Sequence, residues 1–145
     1  MGFSAIQEME QRLLKETMSL LGGYGQAVPQ FLTSSMYSSP LRSLQDLVFV
    51  PHSGNQEGVE FVVELKCSSS ARLDNAWLDF ALSARERIYA ANRRFNLRFI
   101  LATTAILSER QRAWAQAHSL EVLDQIKDGQ DLACRLLDIA GLKVN

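Results

Sequence analysis

The chain has 145 residues, 47% of them hydrophobic and 21% charged, with a formal net charge of -1. This composition is typical of a soluble globular protein, and the length suits a single domain, 1–145, with a core of its own. The near-zero net charge argues against a strongly basic polyanion-binding protein. The only cysteines, Cys67 and Cys134, are too far apart in sequence for a disulfide scaffold or a metal motif, which fits a reducing compartment. No apolar run approaches the roughly 20 residues of a membrane span. The N-terminus also lacks the pattern of a signal peptide, so the sequence predicts a cytoplasmic protein with no membrane partner.

The first predicted element is an amphipathic helix over residues 2–21. Gly22-Gly23 follows it directly and is typical of a helix end. Projected at about 100° per residue, Glu10 falls near the centre of the apolar stripe. A carboxylate directed at the interior needs a partner, so Glu10 is a candidate functional residue. The apolar residues that define the stripe are Phe3, Ile6, Met9, Leu13, Leu14, Leu20 and Leu21.

Three strands are predicted next. Residues 26–32 form an edge or bulged strand because they contain Pro29, and 34–40 form a loop. Residues 43–50 form a second strand, and the turn-rich stretch 51–58 connects it to a third as a hairpin.

The third strand, 58–66, alternates with a period of two, so its even-numbered and odd-numbered side chains occupy opposite faces. The odd face is apolar, whereas the even face carries Glu60, Glu64 and Lys66. The hairpin connection places Asp46 on the strand adjacent to Glu64.

The second half alternates helices and strands. After a serine-rich loop, a helix is predicted over 73–92, and 97–103 reads as a strand buried on both faces. Ser108 and Gln111 have the spacing of a capping box, which opens a helix that ends near His118. A short strand over 120–123 then completes a parallel strand-helix-strand crossover. A last helix over 129–140 gives the order αβββαβαβα.

Asp46 in the second strand and Glu64-Leu65-Lys66 in the third resemble the motif of the PD-(D/E)XK nuclease superfamily. This superfamily includes many restriction endonucleases and Holliday junction resolvases. Residues 97–124 resemble the strand-helix-strand tail of Mrr-type restriction enzymes. The resemblance implies an α/β fold of the restriction endonuclease-like type, with three α/β/α layers around a central mixed sheet. It covers most of the chain as an order of elements, but its motif has only three fixed residues.

The implied activity is that of a metal-dependent DNA endonuclease of restriction or recombination type. Hydrolysis of a phosphodiester requires an activated water and neutralisation of charge on the phosphate, which a divalent metal supplies. Asp46 and Glu64 are the expected ligands for Mg²⁺, or Mn²⁺ in its place, because these ions prefer oxygen ligands. Lys66 is expected to orient the attacking water and to stabilise the transition state. Glu10 matches the helix-one glutamate that often joins the metal cluster in the superfamily.

The DNA partner requires basic residues to offset its phosphate charge. Arginines at the end of the second helix and in the following turn are the candidate nucleic-acid-binding set. Because two strands must be cut, a homodimer is expected. The chain departs from the motif in having Gln45 where the name of the motif has proline, and in its lack of excess basic charge. The candidate arginines are Arg85, Arg87, Arg93, Arg94 and Arg98.

Other interpretations stay open. The chain could keep the nuclease-like fold as a catalytically inactive regulatory or assembly partner. The charges on the third strand could form a solvated sheet face, and the arginines a solvated helix face. His52 and His118 lack ligand spacing and are expected at the surface, and the pattern assigns no role to Glu60.

Overall fold

A computed structural model describes residues 2–29, 45–68, 70–91 and 96–143. These residues form four helices and five strands, in the order predicted from the sequence. The elements are α1 (Gly2–Leu21), β1 (Gly25–Pro29), β2 (Gln45–Pro51), β3 (Glu60–Lys66), α2 (Asn75–Ala91), β4 (Leu97–Thr103), α3 (Glu109–Ala117), β5 (Glu121–Leu123) and α4 (Gly129–Ile139).

The strands form one mixed sheet in the order β1-β2-β3-β4-β5. β1, β2 and β3 pair antiparallel, and the predicted hairpin of β2 and β3 is confirmed. β3, β4 and β5 pair parallel. In the antiparallel part Asp46 pairs with Glu64. In the parallel part Lys66 pairs with Thr103. The predicted parallel crossover over β4, α3 and β5 is therefore confirmed.

Two apolar cores lie on opposite faces of the sheet. One joins α1 and α4 to the odd-numbered side chains of β3, such as Phe61 and Leu65. The other joins α2 and α3 to the opposite face, which includes Val62 and Phe99. The alternation along β3 produces this division because successive side chains of a strand point to opposite faces. The result is an α/β architecture with helices on both sides of a central mixed sheet.

Local signals account for several element boundaries. Ser108 caps α3 by accepting a hydrogen bond from the Gln111 backbone, and the Gln111 side chain accepts one from the Ser108 backbone. The predicted capping box is thus confirmed. The backbone N–H of Gly22 still bonds to the Met18 carbonyl, and the chain then leaves α1 at the expected glycine pair.

Some predicted details differ from the structure. Met9 and Leu20, assigned to the apolar stripe of α1, are each 44% exposed, because the buried stripe is narrower than the sequence pattern indicates. β1 begins at Gly25 and is described as far as Pro29. The end of the predicted strand 26–32, the loop 34–40 and the start of the strand 43–50 lie outside the described residues.

Candidate active site

Glu64 lies near the end of the central strand β3 and is fully buried, at 0% exposure. Its register partner across the antiparallel pair is Asp46, whose side chain is outside the described part of the structure. On the other side of Glu64 lies Leu101 of β4. A buried carboxylate is costly unless positive charge or hydrogen-bond donors compensate it, so a glutamate at the centre of a sheet indicates a specific role.

Lys66 occupies the last position of β3, on the same face as Glu64. Its Nζ atom lies 4.2 Å from the centroid of the Trp77 ring in α2. The face of an indole attracts a cation, which restrains the ammonium group at the carboxyl end of the strand. The sequence spacing of Trp77 does not indicate this contact.

Glu10 is 4% exposed, which confirms its predicted inward position on α1. Its Oε2 atom accepts a hydrogen bond of 3.0 Å from the backbone N–H of Cys67, one residue beyond the end of β3. Burial raises the pKa of Glu10, whereas this hydrogen bond and the positive charge of Lys66 act to lower it. Glu10 therefore reaches the end of β3 from the α1 side, while Glu64 and Lys66 belong to the α2 side.

Cys67 extends the alternation of β3 by one step and is fully buried in the core beneath α1. Burial, followed by the nearby Glu10 charge, raises the pKa of its thiol to about 12. A thiol with this pKa is almost entirely protonated at neutral pH and is a poor nucleophile. Cys67 thus serves the site through its backbone N–H, a role that its residue type does not reveal.

The donor chemistry of the predicted metal ligands fits a hard divalent cation, since Glu10 and Glu64 offer carboxylate oxygens. Among the side chains that the structure describes, no three His, Cys, Asp or Glu residues are grouped closely enough to hold a metal ion. A cation bound here would require Asp46 as a further ligand, and that side chain lies outside those described. The metal triad of Asp46, Glu64 and Glu10 stays a prediction.

The candidate DNA-binding arginines are spread along the fold. Thr103 is the register partner of Lys66, and Arg98 precedes it by five residues on β4. At 3.3 Å per residue, Arg98 lies about 16 Å from Thr103 toward the start of β4. Its guanidinium lies 5.6 Å from the Phe61 ring, on the face opposite to Lys66.

Arg98 also makes a bidentate ion pair with Glu121: its Nε donates to Oε1 at 2.7 Å and its Nη2 donates to Oε2 at 3.1 Å. The hydrogen bonds to Glu121 raise the pKa of Arg98 above its ordinary value.

The remaining arginines of that set belong to α2 or follow it. Arg85 donates to the backbone carbonyl of Ser119, and Arg87 is exposed. These two residues follow Trp77 by eight and ten positions, or about 12 and 15 Å along the helix at 1.5 Å per residue. Arg93 and Arg94 lie outside the described residues. DNA binding by this set stays a prediction.

The two histidines are exposed, as expected from the sequence. The ring of His118 lies against Trp114 with centroids 4.1 Å apart, and its Nδ1 atom is 2.9 Å from the Trp114 carbonyl oxygen. His118 is therefore the C-cap of α3, which is a structural role. Glu60, at the start of β3, is half-buried, and its backbone N–H bonds to the Asn96 carbonyl.

Comparisons with family models, curated proteins and solved structures gave no match to this chain. The described helices include none with the length and hydrophobicity needed to cross a bilayer.

Proposed function

We propose that the chain is a metal-dependent DNA endonuclease with a restriction endonuclease-like fold. One observation carries the proposal: a buried carboxylate, Glu64, lies two residues before Lys66 on one face of β3, with Asp46 opposite Glu64 in register. Glu10 reaches the end of the same strand from α1. These four residues belong to α1, β2 and β3, the same elements that carry the motif residues in the resemblance to the nuclease superfamily.

The topology also supports a ligand site at this end of the sheet. An antiparallel hairpin of β2 and β3 is followed by a helix and a parallel strand, so the carboxyl ends of β3, β4 and β5 share one edge of the sheet. In open α/β sheets, ligands bind in the crevice outside the carboxyl ends of the strands. Lys66 is the last residue of β3 and lies at this edge.

The residues of the chain have separate roles in the proposed hydrolysis. Bound Mg²⁺ or Mn²⁺ would activate water and neutralise phosphate charge. Glu64, Glu10 and Asp46 would hold the ion through carboxylate oxygens. Lys66 would donate hydrogen bonds to the attacking water or to the phosphate oxygens, where negative charge grows during the reaction. The Trp77 ring limits the motion of the Lys66 ammonium and so keeps it oriented.

Cleavage of supercoiled plasmid and of a four-way junction, with Mg²⁺ or Mn²⁺, tests the proposal. Lys66→Met and Glu64→Gln are expected to lower the cleavage rate by about 10² to 10³-fold, the usual cost of losing one group that stabilises charge in the transition state. Lys143→Ala is the matched control, because it also removes an exposed cation. Its neighbour Leu142 lies near Gly54 in the β2-β3 hairpin, at the end of the sheet opposite to Lys66. This control should cleave at the rate of the unmodified chain.

Circular dichroism and thermal unfolding would show that each variant is folded before its activity is compared. Equal cleavage by the unmodified chain, Lys66→Met and Glu64→Gln would contradict the proposal, because a contaminating nuclease would then account for the activity. A folded chain without cleavage under any of these conditions would favour the inactive regulatory or assembly module. The proposed enzyme acts as a homodimer on duplex DNA, and sedimentation at several concentrations tests that state.

A further inference from the structure

We propose that Arg72 contacts the DNA backbone near the scissile phosphate, at the carboxyl edge of the sheet, and that the arginines of α2 and β4 do not make this contact. This inference rests on the proposed nuclease function, because it identifies how the same site would hold its substrate. Arg72 lies in the connection between β3 and α2 and is exposed.

The main chain places Arg72 close to the site. It forms a parallel bridge with Ile106, which follows Thr103, the register partner of Lys66, by three residues. Three residues of chain span at most about 10 Å, and each of the two cross-strand pairs adds about 4.8 Å, so the Lys66 and Arg72 backbones lie within about 20 Å of each other. DNA carries one phosphate per 3.4 Å of axis on each strand, so this distance corresponds to about six phosphates. Arg72 is thus placed to contact a phosphate within about six positions of the one that Lys66 serves.

Hydrogen bonds hold the described part of this connection in place. The Ser68 N–H donates to Thr104 Oγ1 at 3.0 Å, and the Arg72 N–H donates to Ser70 Oγ at 3.3 Å. The Ile106 N–H donates to the Ala71 carbonyl at 2.7 Å. The bonds from Ser68 to Thr104 and from Ile106 to Ala71 link the connection to the segment that follows β4, whereas the bond from Arg72 to Ser70 lies within the connection. An arginine on a fixed backbone loses less conformational freedom when it binds a phosphate, which favours binding.

The charge of Arg72 is available to a ligand. Within the described residues, the ion pairs join Arg98, Arg112 and Arg135 to carboxylates of the chain, whereas Arg72 forms none. Its guanidinium also makes no hydrogen bond to another described residue. A guanidinium binds phosphate with two parallel hydrogen bonds, so an exposed arginine at this edge suits a DNA backbone.

The described arginines of the predicted DNA-binding set, to which Arg72 does not belong, are less suited to this task. Arg98 lies on the opposite face of the sheet and is paired with Glu121. Arg85 and Arg87 lie toward the far end of α2 from Trp77 and Lys66. A duplex that follows the carboxyl edge would pass Arg72 before it reached these residues.

Binding of the full chain to a fluorescent 20-base-pair duplex and to a four-way junction, in EDTA and at several salt concentrations, tests the inference without requiring cleavage. Arg72→Ala is expected to weaken binding about tenfold at low salt. It should also reduce the slope of log K against log salt concentration by about one, the value for one lost phosphate contact. Arg72→Lys should recover most of the affinity, whereas Arg85→Ala, Arg87→Ala and the control Lys143→Ala should stay within about twofold of the unmodified chain.

Unchanged binding by Arg72→Ala, or a larger loss from Arg85→Ala or Arg87→Ala, would overturn the inference. The outcome can be separated from that of the catalytic proposal. Cleavage that depends on Lys66 but not on Arg72 would overturn only the contact proposed here. Binding that depends on Arg72, with no cleavage in any metal, would instead overturn the nuclease mechanism. Absence of DNA binding by the folded chain would overturn both.

Discussion

Glu10 and Cys67 are 57 positions apart in the chain, yet the Glu10 carboxylate accepts a 3.0 Å hydrogen bond from the Cys67 backbone N–H. This bond connects α1 to the end of β3. It gives a buried carboxylate a donor and brings it close enough to Lys66 for the two charges to interact. The stability of the domain and the electrostatics of the candidate site therefore depend on the same side chain.

The raised pKa of Glu10 predicts a specific pH dependence of stability. Because the folded state binds the Glu10 proton more tightly than the unfolded state, this group's contribution is fully present below its ordinary pKa of 4.5. It is lost as the pH rises through the raised pKa of the folded state. Urea unfolding of the chain and of Glu10→Gln across pH 4 to 8 should show their free energies of unfolding diverging over this window, with the unmodified chain falling relative to the variant. Parallel curves would contradict the prediction.

Removing the Glu10 acceptor altogether should be more damaging than neutralising it. Glu10→Ala leaves the buried Cys67 N–H without its partner, which costs about 1–3 kcal/mol. Glu10→Gln keeps an acceptor oxygen and should retain most of that stability. Urea unfolding at pH 7 measures both variants, and equal loss from the two substitutions would show that the hydrogen bond contributes little.

The contact between Lys66 and Trp77 should appear as an energetic coupling. A cation over an indole ring contributes about 0.5–1 kcal/mol at a partly exposed site, and Lys66 is half-buried. A double-mutant cycle with Lys66→Met and Trp77→Leu, followed by urea unfolding, should give a coupling energy in that range. Additive effects of the two substitutions would mean that the ring does not hold the ammonium.

Gly129 sits where α4 meets α1, and an added methyl group has no space there. Its Cβ would lie 2.9 Å from both the Leu13 carbonyl oxygen and the Thr17 backbone nitrogen. Gly129→Ala is therefore expected to destabilise the domain by about 1–3 kcal/mol through overpacking. Gly23→Ala is the matched control, since among the described residues its Cβ would approach only the Leu20 carbonyl, at 4.0 Å. Equal melting temperatures for the two variants would contradict the close helix contact.

The Arg98–Glu121 ion pair should contribute little to stability despite its two hydrogen bonds. The two side chains are 35% and 38% exposed, so solvent screens their attraction. A double-mutant cycle should give a coupling of about 0.2–1 kcal/mol, and added salt should reduce it. A coupling energy of several kcal/mol would contradict this prediction and would show that the ion pair strongly stabilises the contact between β4 and β5.

The local features of the fold were predictable because they depend on neighbouring residues. Helical spacing located α1 and the inward position of Glu10, and the alternation in β3 separated its two faces. The capping box of Ser108 and Gln111 located the start of α3 to the residue. The helical spacing wrongly placed Met9 and Leu20 in the buried stripe of α1. Hydrophobicity alone does not show how wide a stripe of the helix the sheet will cover.

The candidate site was predictable in its residues and in the faces they occupy, but not in its contacts. The sequence by itself determined the order of helices and strands, the antiparallel hairpin and the placement of Glu64 and Lys66 on one face of β3, since these follow from short-range periodicity. Tertiary structure decided that Glu10 bonds to Cys67, that Lys66 lies over Trp77 and that Arg98 belongs to the opposite face. These contacts depend on which helices cover which face of the sheet, and that is set by packing between residues far apart in the chain.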